Sequence, residues 1–171
     1  MSTESEKEKR EPRSRSRGLL EYLRRLRDDR GAMADLRCAL NPTKVSRAWP
    51  LLGRIGGIGD LTIETIAGMF AYHPLETQLG NLGTTCRGLY GATDGTDARF
   101  RRLLACGDRS ELCEHLRSIV LAAKAKDIAV NYEQLFTDIV YWGTQVKARW
   151  ATEYWKPAEG TGDAMSGEEV L

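Results

Sequence analysis

Apolar positions along this chain recur at helical spacing from residue 19 onward. Leu19, Tyr22, Leu23 and Leu26 fall at i, i+3, i+4 and i+7, the stripe of an amphipathic helix. Gly31 punctuates it, and a second short helix is expected over residues 32–40, ending before Asn41-Pro42. Residues 44–52 form a third candidate whose regularity Pro50 limits. Residues 54–59 hold three glycines and read as a loop. A fourth helix is predicted over 62–72, with Ile63, Ile66, Ala67 and Phe70 facing inward, closed by Pro74. A turn at 81–83 leads to a helix that runs to Tyr90, capped by Thr84 or Thr85.

Residues 91–95 are a clear break and the candidate domain boundary. Beyond it, a helix over 96–106 buries Phe100, Leu103 and Leu104. Asp108 with Glu111 makes a capping box for a helix with the seam Leu112, Leu116, Ile119 and Ala123. Asn131 with Gln134 opens one long last helix, whose seam is Tyr132, Leu135, Phe136, Ile139, Val146 and Trp150. Gly143 falls on that seam, where a missing side chain lets a neighbouring helix come close. No repeat and no strand is evident. The predicted fold is all-α, two small helical bundles in sequence (18–92 and 93–156), with disordered tails at 1–17 and 157–171.

Composition agrees with helix. Leucine and alanine far outnumber valine and isoleucine, and straight-chain residues lose little rotamer freedom in a helix. The net charge of +1 conceals an asymmetry: residues 157–171 carry four acidic groups and no basic one. The folded part is therefore mildly basic and the C-terminal tail acidic. No apolar run approaches the roughly 18 residues of a membrane span. The N-terminal residues have no apolar stretch of the kind a secretory signal needs. Four cysteines without zinc-like spacing read as free thiols in a reducing cytoplasm.

The stretch AYHPLETQLGNLGTTCRGLY, residues 71–90, gathers His73, Glu76, Gly80, Gly83, Cys86 and Arg87. A cysteine nucleophile needs a base to form thiolate, and His73 lies 13 residues before Cys86, so any pairing depends on the fold. GNLGTT lacks the Gly-Lys-Ser/Thr ending of a P-loop, although amides at a helix start can hold one phosphate. A di-metal bundle wants ExxH pairs, and the chain has none; His115 reads as a packed histidine. No catalytic residue, metal or cofactor is called. The stretch is expected to be a junction between helices.

The basic residues offer more. Arg99 and Arg102 project to one side of the Phe100 stripe and Arg101 to the other. Arg117 and Lys124 share a face of their helix, Lys147 and Arg149 flank the last seam, and Arg37, Arg54 and Arg87 stand beside short helices and glycine turns. Cations placed this way can follow a phosphate backbone without reading sequence. An ordinary solvated face gives the same composition. Tyr141 and Trp155 point away from the last seam and are candidates for an interface or a stacked base.

The strings RGAMADLR, AWPLLGR, GDLTIETIAGMFAYHPLET, GNLGTTCRGLY, ARFRRLLAC, VNYEQLF and WATEYW, in this order over residues 19–156, resemble the CasB family. This family is the small subunit of Cascade, the type I-E CRISPR surveillance complex of antiviral defence. The resemblance implies an all-helical chain with no enzymatic activity of its own. It implies a second copy as neighbour, together with the backbone, large and guide-processing subunits, the guide RNA, and target DNA including the displaced strand. Arg37, Arg87, Arg99, Arg101, Arg102, Lys147 and Arg149 occupy the family's basic positions. Gly88 follows Arg87 where a second basic residue is expected. The alternatives are a scaffold that joins proteins without touching nucleic acid, and a cysteine-dependent enzyme centred on Cys86.

Overall fold

The structure is a computed structural model that describes residues 3–91, 95 and 97–158, with the side chains of 3–10 left aside. Its helices are α1 (Thr3–Leu26), α2 (Arg30–Arg37), α3 (Trp49–Gly53), α4 (Leu61–Tyr72), α5 (Leu82–Tyr90), α6 (Ala98–Leu104), α7 (Arg109–Ala125), α8 (Tyr132–Val140) and α9 (Thr144–Tyr154). Short 3-10 turns at Cys38–Leu40 and Val45–Arg47 link α2 to α3. Among the described residues there is no strand, only a single parallel bridge between Glu76 and Val130.

Local chemistry sets these boundaries. The Asp29, Asp60, Asp108 and Asn131 side chains each accept from an amide of the first turn that follows, at 2.9–3.2 Å. The cap of α5 is Asn81 rather than either threonine; Thr84 is its reciprocal partner, its hydroxyl oxygen accepting from the Asn81 amide. Gly91 ends α5 in the left-handed region, at φ 71°. Pro50 sits in the first turn of α3, where its missing N–H costs nothing, so it starts that helix instead of limiting it.

Two expectations give way. Residues 3–17 are not a loose tail: they are the first half of α1. Pro12 and Ser16 are buried, in step with Leu19, Leu20 and Leu23 on one helical stripe. The Ser16 hydroxyl donates to the Glu133 carbonyl at 2.9 Å, and Arg15 pairs with Asp60 at 2.8 Å. The stripe escaped notice because its first two members are small or weakly apolar. The long last helix is likewise two, with Tyr141–Gly143 between α8 and α9. Gly143 marks the break rather than a close helix crossing, since a Cβ there would meet nothing nearer than the Tyr141 carbonyl oxygen at 3.7 Å. The acidic tail from residue 159 onward, and the 92/93 boundary between the expected bundles, lie outside the described residues.

α4 runs through the middle, its residues from Thr65 to Ala71 all buried, and packs on α2, α7 and α8. α1 lies along α8, and α5 along α9. The buried cluster takes in Leu20, Leu36, Phe70, Phe100, Leu116, Tyr132, Phe136 and Trp150. Arg24 ties the periphery together. Its guanidinium donates to both Glu76 carboxylate oxygens, at 3.0 and 2.9 Å, and to Glu133 at 3.2 Å.

Candidate nucleic-acid interface

α1 ends at Leu26 and α2 begins at Arg30, so the connecting turn holds Arg27 close to Arg30. One α2 length further on, the Arg37 Nε–H donates to the Ala71 carbonyl at 3.1 Å, and its guanidinium lies 5.8 Å from the centre of the Tyr72 ring. Lys124, in the last turn of α7, reaches the same place. The result is a cleft of about 420 Å³ lined by Arg27, Arg30, Arg37 and Lys124 around Met33, Tyr72 and Pro74. All four cations are exposed, and none forms an ion pair among the described residues. Four unneutralised positive charges around an aromatic ring suit a phosphate backbone with a base nearby.

Arg37 and Lys124, 87 positions apart in sequence, are thus brought together. Arg27 and Arg30 were missed by sequence reasoning. They sit at a helix junction, off every apolar stripe, and only the fold of α4 and α7 against α2 shows that they face Lys124.

A second basic place lies on α6. Arg99 and Arg102 line one cavity of about 250 Å³ with Tyr90, His115, Ser118 and Ile119. Arg101 projects to the other side, 5.1 Å from the centre of the Trp155 ring. A third groove, about 490 Å³, joins Arg13 and Arg149 with Gln134, Thr137 and the exposed Tyr141.

Other basic positions have intramolecular work. Arg87 donates to the carbonyls of Tyr154 and Lys156, closing the C-terminal end of α9. Arg117 donates to the Leu40 carbonyl at 3.0 Å. Lys147 lies 5.2 Å from the centre of the Trp142 ring, and Arg149 is 3.7 Å from the buried Asp138 carboxylate. Arg54 is exposed at the end of α3. Trp155 is only partly free, since its indole N–H donates to Asp97 at 3.1 Å and its ring meets Phe100 and Tyr154 edge-on.

The stretch at 71–90 is built as a junction. His73 is buried, and its Nε2–H donates to the Ile128 carbonyl at 2.6 Å. The Tyr132 hydroxyl donates to the His73 carbonyl, also at 2.6 Å. Cys86 is wholly buried, and desolvation pushes its thiol up to about 12, so at neutral pH it is not a thiolate. The histidine and the cysteine are each committed to packing.

A family model described as CRISPR-associated protein Cse2 matches residues 32–155. No curated protein sequence matches. Solved structures with the same fold include CasB from Thermus thermophilus, with 24% identity and a TM-score of 0.66, covering 83% of this chain and 98% of that one. A second Thermus thermophilus structure, a CRISPR-associated protein of the Cse2 family, superposes with a TM-score of 0.68 at 24% identity, over 83% of this chain and 98% of its own. CasB from M. ruber, 21% identical, covers 91% of this chain and 98% of that one with a TM-score of 0.64.

Proposed function

The chain belongs to the Cse2 family of CRISPR-associated proteins, and on that premise we propose that it is a non-catalytic small subunit of a type I-E CRISPR Cascade complex in the cytoplasm. Its role is to hold the opened target, the displaced DNA strand in particular, beside the guide RNA. Its partners are the other Cascade subunits and a second copy of itself. The observation that carries this reading is the cleft of Arg27, Arg30, Arg37 and Lys124 around Tyr72. Arg99 with Arg102 supplies a second contact, and the exposed Arg54 and Arg13 lie where they can extend it.

Energetics favours such a division of labour. R-loop formation exchanges base pairs of nearly equal stability, so modest protein contacts to a strand backbone tip the balance. A chain of net charge +1 with local cation clusters supplies those contacts without seizing every nucleic acid it meets. Reconstituting the complex with and without this chain, and measuring target affinity at several salt concentrations, tests the role. Omission should weaken target binding and flatten its salt dependence.

One observation favours a scaffold reading instead. Arg87, Arg101, Arg117 and Arg149 are engaged within the chain, while Trp49 at the start of α3 and Ile58 and Leu61 at the start of α4 are exposed and suit a protein neighbour. On that reading, omission would disrupt assembly without altering the salt dependence of the particles that still form.

A further inference from the structure

Sequence spacing offers a cysteine, a glutamate and a histidine at 106, 111 and 115, with no pattern of a known metal motif. The fold brings them together. Cys106 lies just beyond the C-terminal end of α6 and is buried. Asp108 caps α7 by accepting from the Glu111 amide at 2.9 Å. That cap starts the helix in a register that places Glu111 and His115, four residues apart, on one face directed back toward Cys106. The Cys106 sulfur, a Glu111 carboxylate oxygen and a His115 ring nitrogen all lie within 4.8 Å of one another.

We infer that Cys106, Glu111 and His115 form a binding site for a divalent ion of the zinc class. Thiolate, imidazole and carboxylate form the mixed donor set that this borderline-soft ion takes, with a water completing four-coordination. Donors around a tetrahedral zinc stand roughly 3.3–3.7 Å apart, given metal–ligand bonds of about 2.0–2.3 Å. Closing from the observed spread needs only side-chain torsions at Glu111, which is exposed, and at His115, which is half-buried.

The surroundings hold the donors in place. The Gly107 amide donates to Glu111 Oε2 at 2.9 Å, which orients the carboxylate and leaves Oε1 for the metal. The indole N–H of Trp142 donates to the Cys106 carbonyl at 3.0 Å and fixes the backbone behind the sulfur. On binding, the Cys106 S–H proton passes to solvent and the sulfur lone pair forms the bond to the metal. Arg99 and Arg102 line a cavity together with His115, and their charge opposes a cation, so the site is one of moderate affinity. Occupied, it would clamp the end of α6 to α7 and set the position of these two arginines.

The experiment titrates the reduced, metal-free full chain with Zn2+ by calorimetry and with Co2+ by absorption. The expected result is one ion per chain and a near-ultraviolet charge-transfer band from a single thiolate to Co2+. Cys106→Ser should abolish the band. His115→Gln should weaken Zn2+ binding at least tenfold, and Glu111→Gln severalfold, while Cys38→Ser leaves both readouts unchanged. No charge-transfer band in the unsubstituted chain overturns the site without recourse to any variant. A band that survives Cys106→Ser, or that disappears with Cys38→Ser, overturns it equally.

Discussion

The indole Nε1–H of Trp150 donates to Asp138 Oδ2 at 2.8 Å, with both side chains shut away from solvent. α8 supplies the acid and α9 the indole, so this bond spans the break that Gly143 makes between the two helices. The other carboxylate oxygen accepts from Gln134 Nε2 at 2.9 Å. Trp150→Phe would leave Oδ2 without its donor and open space in the core. The expected cost is about 2–4 kcal/mol of unfolding free energy by urea titration. A loss under about 0.5 kcal/mol would mean that the bond is dispensable.

Burial raises the Asp138 pKa above its ordinary value of 3.8, against the opposing pull of Trp150, Gln134 and Arg149. The unfolded chain therefore releases this proton at lower pH than the folded one does, and Asp138 subtracts stability as pH rises above 3.8 through the folded value. Asp138→Asn has no such ionisation. Its stability relative to the unsubstituted chain should improve as pH rises above about 4 and level off once the folded carboxyl has ionised, as read by thermal melts across a pH series. A difference that stays flat or moves the other way would contradict the raised pKa.

Two glycines on α5 should respond with opposite signs. A Cβ at Gly83 would overlap the Trp150 carbonyl oxygen and stand 2.8 Å from its carbon, and backbone on both sides cannot yield. Gly83→Ala should cost about 1–3 kcal/mol by pushing α5 off α9. At Gly88 the nearest atom is Ile128 Cδ1 at 3.4 Å, an ordinary contact, and the position is exposed. Gly88→Ala should gain about 0.5–1 kcal/mol from helix propensity. Equal effects at the two positions would refute the close crossing.

Removing residues 1–17 should lower the melting temperature by several degrees, since the deletion strips Pro12, Ser16 and the Arg15–Asp60 pair from the face of α8 and the start of α4. At roughly 2–4 °C per kcal/mol for a chain of this size, a shift below 1 °C would mean that this half of α1 contributes nothing.

Helix existence was legible wherever large apolar residues kept a 3.6-residue period, as in α4 and α7. It was illegible where the stripe passed through Pro12 and Ser16, because burial there rests on packing against α8, which no local pattern reports. Asn131 was legible as a cap because its chemistry is local. Asn81 was not, because two threonines nearby offered the same chemistry. For the interface, the division of α6 into Arg99 and Arg102 against Arg101 followed from helical geometry alone. Arg27 and Arg30 could not be found that way, nor could the commitment of Arg87 to the end of α9. Each depends on which distant carbonyl or cation the fold brings alongside.

In the proposed function, the cleft of Arg27, Arg30, Arg37 and Lys124 grips a nucleic-acid backbone. Its most direct test is the salt dependence of target binding by a reconstituted complex carrying Arg27→Ala, Arg30→Ala, Arg37→Ala and Lys124→Ala together, at verified normal stoichiometry. Every phosphate left without its cation flattens the slope of log K against log salt by about 0.7 for single strands. Binding should weaken for unrelated targets alike, with a slope shallower by up to about 2.8. An unchanged slope in particles that contain the substituted subunit would contradict it.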